Sequence, residues 1–134
     1  MKSTPVRLGV TGADTQGLAV QAGRSDDGTE VNVLISNYEV PASLRGARKG
    51  GDKVAGFLNL LPRRELKYER NEGFDLKVTS LNSDQLYRIE RYRISDMWDY
   101  RLLNTLTLKG SEVAIRGALP APGIELVVIK AADK

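Results

Sequence analysis

A chain of 134 residues is the size of one domain and can bury a sizeable core without covalent staples. It contains no cysteine and no histidine, which excludes thiol nucleophiles, thiolate and imidazole metal ligands, disulfides and the usual general base at neutral pH. The 20 basic and 17 acidic residues are scattered along the chain, so the net charge of +3 reads as a solvated surface and not as a nucleic-acid footprint.

Short apolar and β-branched runs alternate with Gly, Asp, Asn and Pro clusters, which predicts an all-β fold. The expected architecture is a single antiparallel β-sandwich of about eight strands over residues 1–134, with at most one short helix near residues 96–104. Val6–Val10 is a first short strand, preceded by "MKSTP", which lacks the apolar core of a signal peptide. No run is long enough to span a membrane, so neither a membrane contact nor a targeting signal is expected within the chain.

Gly17–Arg24 follows, with Leu18, Val20 and Ala22 on one face. "SDDGTE" is a tight turn, because Asp27-Gly28 supplies the positive φ that hairpins favour. In the return strand Glu30–Tyr38, Val31, Val33 and Ile35 share one face, and Leu34 and Tyr38 the other. Pro41 ends the ladder, and Ser36-Asn37-Tyr38 is expected at the sandwich rim, Tyr38 packing and Asn37 turning the chain.

Residues 42–53 form a loop rich in glycine and basic residues, and "KVAGFLNLLP" reads as a strand closed by Pro62. Arg45, Arg48, Lys49 and Lys53 belong to a solvated loop, since no helix N-terminus or interleaved aromatic accompanies them. "FDLKVTSL" is a half-exposed strand with Phe74, Leu76 and Val78 inward and Asp75, Lys77 and Thr79 outward. In "LYRIERYRIS" Tyr87 and Ile89 share a parity opposite to that of Tyr92 and Ile94, so the apolar face is expected to change sides near Glu90-Arg91, through a β-bulge or a twist across the sandwich. "SDMWDYRLLNTL" carries Ser95 or Asp96 as an N-cap before Trp98, Leu102 and Leu103, which predicts a short helix or structured loop. Two last strands, Glu112–Arg116 and Ile124–Lys130, flank the turn "GALPAPG", and "IELVVI", apolar on both faces, belongs at the centre of a sheet.

Without histidine, acid–base chemistry falls to carboxylates, and glycosidic cleavage needs two of them facing each other across a cleft. Asp26 and Asp27 diverge within a turn, Glu90 is best explained by pairing with Arg88, Arg91 or Arg93, and Asp96 and Asp99 suit capping. "GARKGG" lacks the Gly-Lys-Ser/Thr ending and the following helix of a phosphate loop. No catalytic residue, metal site or cofactor is expected. Trp98 and Tyr100 are the candidate carbohydrate-binding residues, since a sandwich can present such rings for a sugar to stack on.

Three stretches, in order, resemble the C-terminal β-domain of glycoside hydrolase family 39, the β-xylosidase group. "GLAVQAGRSDDGTEVNVLISNYEVP" is similar to its strand, Asp-Gly turn and strand ending in Asn-Tyr, matched by Asn37-Tyr38. "YRIERYRISD" is similar to the strand running through Arg-Tyr into Asp, matched by Arg91 to Asp96, and "GALPAPGIELVVIK" to the closing Leu-Pro turn and last strand. After Asp96 the chain departs from the family's Asn-containing loop and offers only Asn104. The resemblance implies a non-catalytic sandwich from the C-terminal part of a retaining, β-xylosidase-like glycosidase. Its catalytic glutamates would lie on a (β/α)8 barrel that this chain is too short to contain, and that barrel would be the partner. Oligosaccharide is the alternative ligand; no nucleic acid is expected.

Overall fold

A computed structural model of the chain describes residues 3–12, 17–39, 70–95 and 98–132. The expected strand end at Pro41, the loop at 42–53 with its basic residues, the strand over "KVAGFLNLLP" and the Asp96 cap lie outside the described residues. The described chain is all-β and antiparallel, with the elements β1 (Val6–Leu8), β2 (Leu18–Arg24), β3 (Glu30–Asn37), β4 (Asn71–Val78), β5 (Leu86–Ser95), β6 (Arg101–Lys109), β7 (Val113–Pro120) and β8 (Gly123–Ala131). A six-stranded sheet of order β1-β2-β3-β8-β5-β6 packs on a two-stranded sheet, β4-β7.

Alternation determines which side chains enter the core. Val31, Val33 and Ile35 of β3, Val127 and Ile129 of β8, and Tyr87 and Ile89 of β5 face Val78 of β4 and Val113, Ile115 and Leu119 of β7. Leu18, Val20, Ala22, Phe74 and Leu76 pack against this cluster from its margins. The β2–β3 hairpin closes on the Asp-Gly turn: Gly28 has φ +75°, and Asp27 accepts hydrogen bonds from the Ser25 and Thr29 hydroxyls and the Thr29 N–H. β8 is central, flanked by β3 and β5, as its two apolar faces predict.

Three sequence expectations are corrected. Of the short helix or structured loop expected near residues 96–104, a loop is found at 98–100, but edge strand β6 takes over from Arg101, because "NTLTLK" continues as a pleated run against β5. Tyr38 does not pack: it is 66% exposed, while Asn37 before it is buried. β5 does not change faces, since its register with β8 is unbroken from Tyr87 to Ser95. The irregularity lies in the β5–β6 pairing, where Arg91 is opposite Asn104 and Tyr92 opposite Leu102, so Leu103 is the extra residue of a bulge. The inward positions beyond Ile89 are held by Arg91 and Arg93, and this substitution of charge for hydrocarbon mimics a face change.

Candidate functional site

Two features lie at the same end of the large sheet, one on each face. On the inner face, Glu125 of β8 is fully buried and lies opposite Arg93, diagonal to Arg91. Arg91 binds Glu125 Oε1 at 2.6 Å and Arg93 binds Oε2 at 2.8 Å, so each carboxylate oxygen has its own guanidinium. A buried charge needs such pairing to offset its lost hydration. The arginines also cross to the small sheet, Arg91 donating to the Arg116 carbonyl at 3.3 Å and Arg93 to the Ala118 carbonyl at 2.8 Å. Gly117, between those carbonyls, makes the crossing feasible: a Cβ there would stand 2.7 Å from Arg91 Nη2 and 2.8 Å from the Phe74 ring.

Asn37 adds the next link, donating from Nδ2 to the Leu119 carbonyl at 2.6 Å. Asn37, Arg91, Arg93, Leu119 and Glu125 come from the three stretches that carried the sequence resemblance, and the fold gathers them into one inter-sheet polar cluster. Further along this end, Glu39 accepts from the Arg70 backbone N–H at 2.8 Å, and Arg70 Nε bonds Glu72 at 2.7 Å. Glu125 was missed in the sequence because it sits inside an apolar run. The readable signal was an acid at an inward parity on a central strand, with two arginines at inward parity elsewhere.

The outer face carries the aromatic feature. Tyr92 points outward from β5 and its hydroxyl donates to Glu90 Oε2 at 2.9 Å, while Arg88 bonds Oε1 of the same carboxylate at 2.5 Å. The bond to Glu90, with burial and the Glu90 charge, pushes the Tyr92 hydroxyl above the ordinary tyrosine range. Tyr100 stacks parallel on Tyr92, with ring centroids 4.8 Å apart and 57% of Tyr100 still exposed. Trp98 goes elsewhere: its ring lies 5.9 Å from the Arg93 guanidinium carbon and 5.2 Å from that of Arg101. Arg93 and Tyr92 alternate along β5, so the two expected sugar-stacking residues attach to opposite faces of that strand and do not form one platform.

Chemically, the inner cluster is a structural clamp. Cleavage of a glycosidic bond requires two carboxyl groups about 5–9.5 Å apart across a substrate cleft. Glu125 has no access to solvent and both its oxygens are ion-paired. Among the described residues, no group of three or more acidic side chains is placed to hold a metal ion. An open groove of about 380 Å³ is lined by Leu8, Val10, Val20, Val31, Leu76 and Asp75. Asp75 is already bonded to Arg116 at 2.8 Å.

No protein-family profile matches the chain, and no curated protein matches it by sequence. Solved structures do. A glucosidase from Croceicoccus marinus is 26% identical with a TM-score of 0.71, the match covering 98% of this chain and 29% of the glucosidase. The chain is thus similar to part of a glycoside hydrolase. A family 44 xyloglucanase from Paenibacillus polymyxa is 9% identical with a TM-score of 0.51, over 90% of this chain and 18% of that one, which supports the fold alone. In both cases the chain spans less than a third of the enzyme it resembles.

Proposed function

We propose that this chain is a non-catalytic β-sandwich domain of a glycoside hydrolase, bracing a catalytic (β/α)8 barrel encoded in the same polypeptide. The observation that carries this reading is the near-complete overlap with a minor portion, 29%, of a glucosidase chain. The inter-sheet clamp supports it, since the buried charges are used to lock two sheets together and not to face a substrate. The resemblance to family 39 favours a retaining, β-xylosidase-like parent, and the glucosidase neighbour makes β-glucosides the competing substrate class. The complete natural reading frame provides the test: its protein is expected to hydrolyse aryl β-xylosides or β-glucosides, while residues 1–134 alone turn over neither. Turnover by the isolated chain, or a reading frame without a catalytic domain, would overturn the proposal.

A second reading follows from the Tyr92–Tyr100 stack, whose outer ring is open to solvent as a flat apolar platform suited to a sugar ring. In that case the domain itself binds oligosaccharide, with Tyr100 as the stacking residue and Trp98, two residues away on the other face of the strand, as a reporter and not a contact. Millimolar xylo- or gluco-oligosaccharide would then change the Trp98 fluorescence, and Tyr100→Ala would abolish the change. Unchanged fluorescence in the parent chain, or undiminished binding by the Tyr100→Ala protein, would dispose of this reading.

A further inference from the structure

A sheet covered on one side alternates apolar-in with polar-out, whereas a sheet covered on both sides is apolar on both. Most of this molecule follows the first pattern. β2 turns Ala19 and Gln21 outward, and β4 turns Asp75 and Lys77 outward. The middle of the large sheet follows the second. β8 presents Ile124, Leu126 and Val128 on the face opposite Glu125, Val127 and Ile129.

The pattern continues across the neighbouring strands in register. Leu34 is paired with Leu126, Leu126 with Tyr92, and Tyr92 with Leu102, which makes one apolar row across β3, β8, β5 and β6. Ile94 lies opposite Ile124 in the next row, and the Tyr100 ring caps that end. Ile94, Ile124, Leu102 and Tyr100 remain 42%, 39%, 47% and 57% exposed, and the small sheet covers the opposite face. Charge lies along one side of this patch, where Glu90, bonded to the Tyr92 hydroxyl, pairs with Arg88, and Lys130 pairs with Glu30. An apolar and tyrosine-rich centre with charge along one side has the composition of a protein interface, and its burial would give the sandwich a third layer.

We infer that this outer face, centred on Leu126 and Tyr92, is the surface on which the catalytic domain of the same polypeptide docks. The inference rests on the accessory-domain reading above. The occupant follows from proportion: this chain aligns with 29% of the glucosidase, so most of that polypeptide lies beyond the sandwich and is tethered to it. A tethered domain meets such a face at high effective concentration, which no separate partner matches. The inward-facing Leu106 and Leu108 at the β6 margin belong to the other side of the sheet and stay outside the contact.

Hydroxyl-radical footprinting of the full-length protein tests this, because the sheet carries its own control. Leu102, Leu106 and Leu108 are the same residue type on one strand and are 47%, 43% and 41% exposed in the sandwich. With a docked catalytic domain, Leu102 and Tyr100 are water-excluded, and Leu102 is oxidised about fivefold or more slowly than Leu106 and Leu108. Equal rates for the three leucines, in a protein that does hydrolyse glycosides, would overturn the docking face and leave the accessory-domain reading standing. A reading frame with no catalytic domain overturns both. Protection of Leu102 that disappears on dilution identifies a second copy as the occupant, which also overturns the inference.

Discussion

Replacing Glu125 by glutamine tests whether the inter-sheet clamp holds through paired charge. The substitution keeps the shape and one carbonyl oxygen but removes the negative charge from between two guanidiniums at 2.6 and 2.8 Å. Removing one partner of a buried ion pair costs about 3–5 kcal/mol, because the remaining charge is stranded. Arg91 and Arg93 keep carbonyl partners on β7 and 13% and 14% side-chain exposure, so the lower end, about 3 kcal/mol, is expected. A domain of this size has about 5–15 kcal/mol in total. With a urea slope of about 1.5 kcal/mol/M, the unfolding midpoint falls by about 2 M. Fluorescence of Trp98, the only tryptophan, reads the transition beside the clamp, since its ring is 5.9 Å from Arg93. Replacing all three members, as Arg91→Met, Arg93→Met and Glu125→Leu, is expected to stay within about 1 kcal/mol of the parent or to exceed it. A Glu125→Gln midpoint unchanged from the parent would refute the claim that these charges are desolvated. A triple variant as weak as Glu125→Gln would assign the effect to packing and not to charge.

Gly117→Ala forces a methyl group against Arg91 and Phe74 and is expected to cost about 1–3 kcal/mol in the same urea titration; an unchanged midpoint would mean both side chains can step aside. Asn37→Ala removes the 2.6 Å bond to the Leu119 carbonyl inside the core, with an expected loss of about 1–3 kcal/mol, whereas Ser36→Ala on the half-buried outer side of the same strand should cost far less. The Ser25 hydroxyl, then the Thr29 N–H and hydroxyl, hold the Asp27 carboxyl at about 2, below its ordinary 3.8. A depressed carboxylate contributes stability that is present above its unfolded value and lost as pH falls, so Asp27→Asn should flatten the acid limb between about pH 4 and pH 2. Superimposable acid limbs for the two proteins would remove Asp27 from the account.

Where local pattern and burial agree, the sequence was legible. "FDLKVTSL" alternates as β4 does, "SDDGTE" forms the hairpin turn, and the two-sided hydrophobicity of "IELVVI" correctly places β8 at the centre. Sequence reasoning located the irregularity near residue 91 but assigned it to the wrong strand. Arg91 and Arg93 at inward positions look like exposed residues until the acid that neutralises them is known, and Glu125 is 32 to 34 residues away. Register across strands decides that partnership, and no local periodicity contains it. The 101–104 stretch was misread for a related reason. Leu102 and Leu103 suit a helical stripe, and only pairing with β5 around a bulge makes them an edge strand. The separation of Trp98 from Tyr100 is a product of the same alternation: two residues close in sequence were drawn to Arg93 and Tyr92, which point opposite ways.

The bulge at Leu103 also bears on solubility. Among the described residues β6 is the outer strand of the large sheet, and an outer strand with Leu102, Leu106 and Leu108 along it is a template onto which another chain can add a strand. The extra residue breaks the even spacing of backbone donors and acceptors between Leu102 and Asn104 and increases the local twist. An incoming strand therefore meets a short regular run, 104 to 109, bounded by Lys109 at one end and by a kink next to Arg101 at the other. Removing Leu103 would straighten the edge and lengthen that run. The residue that looks superfluous to the ladder thus shortens the regular edge that a second strand could extend.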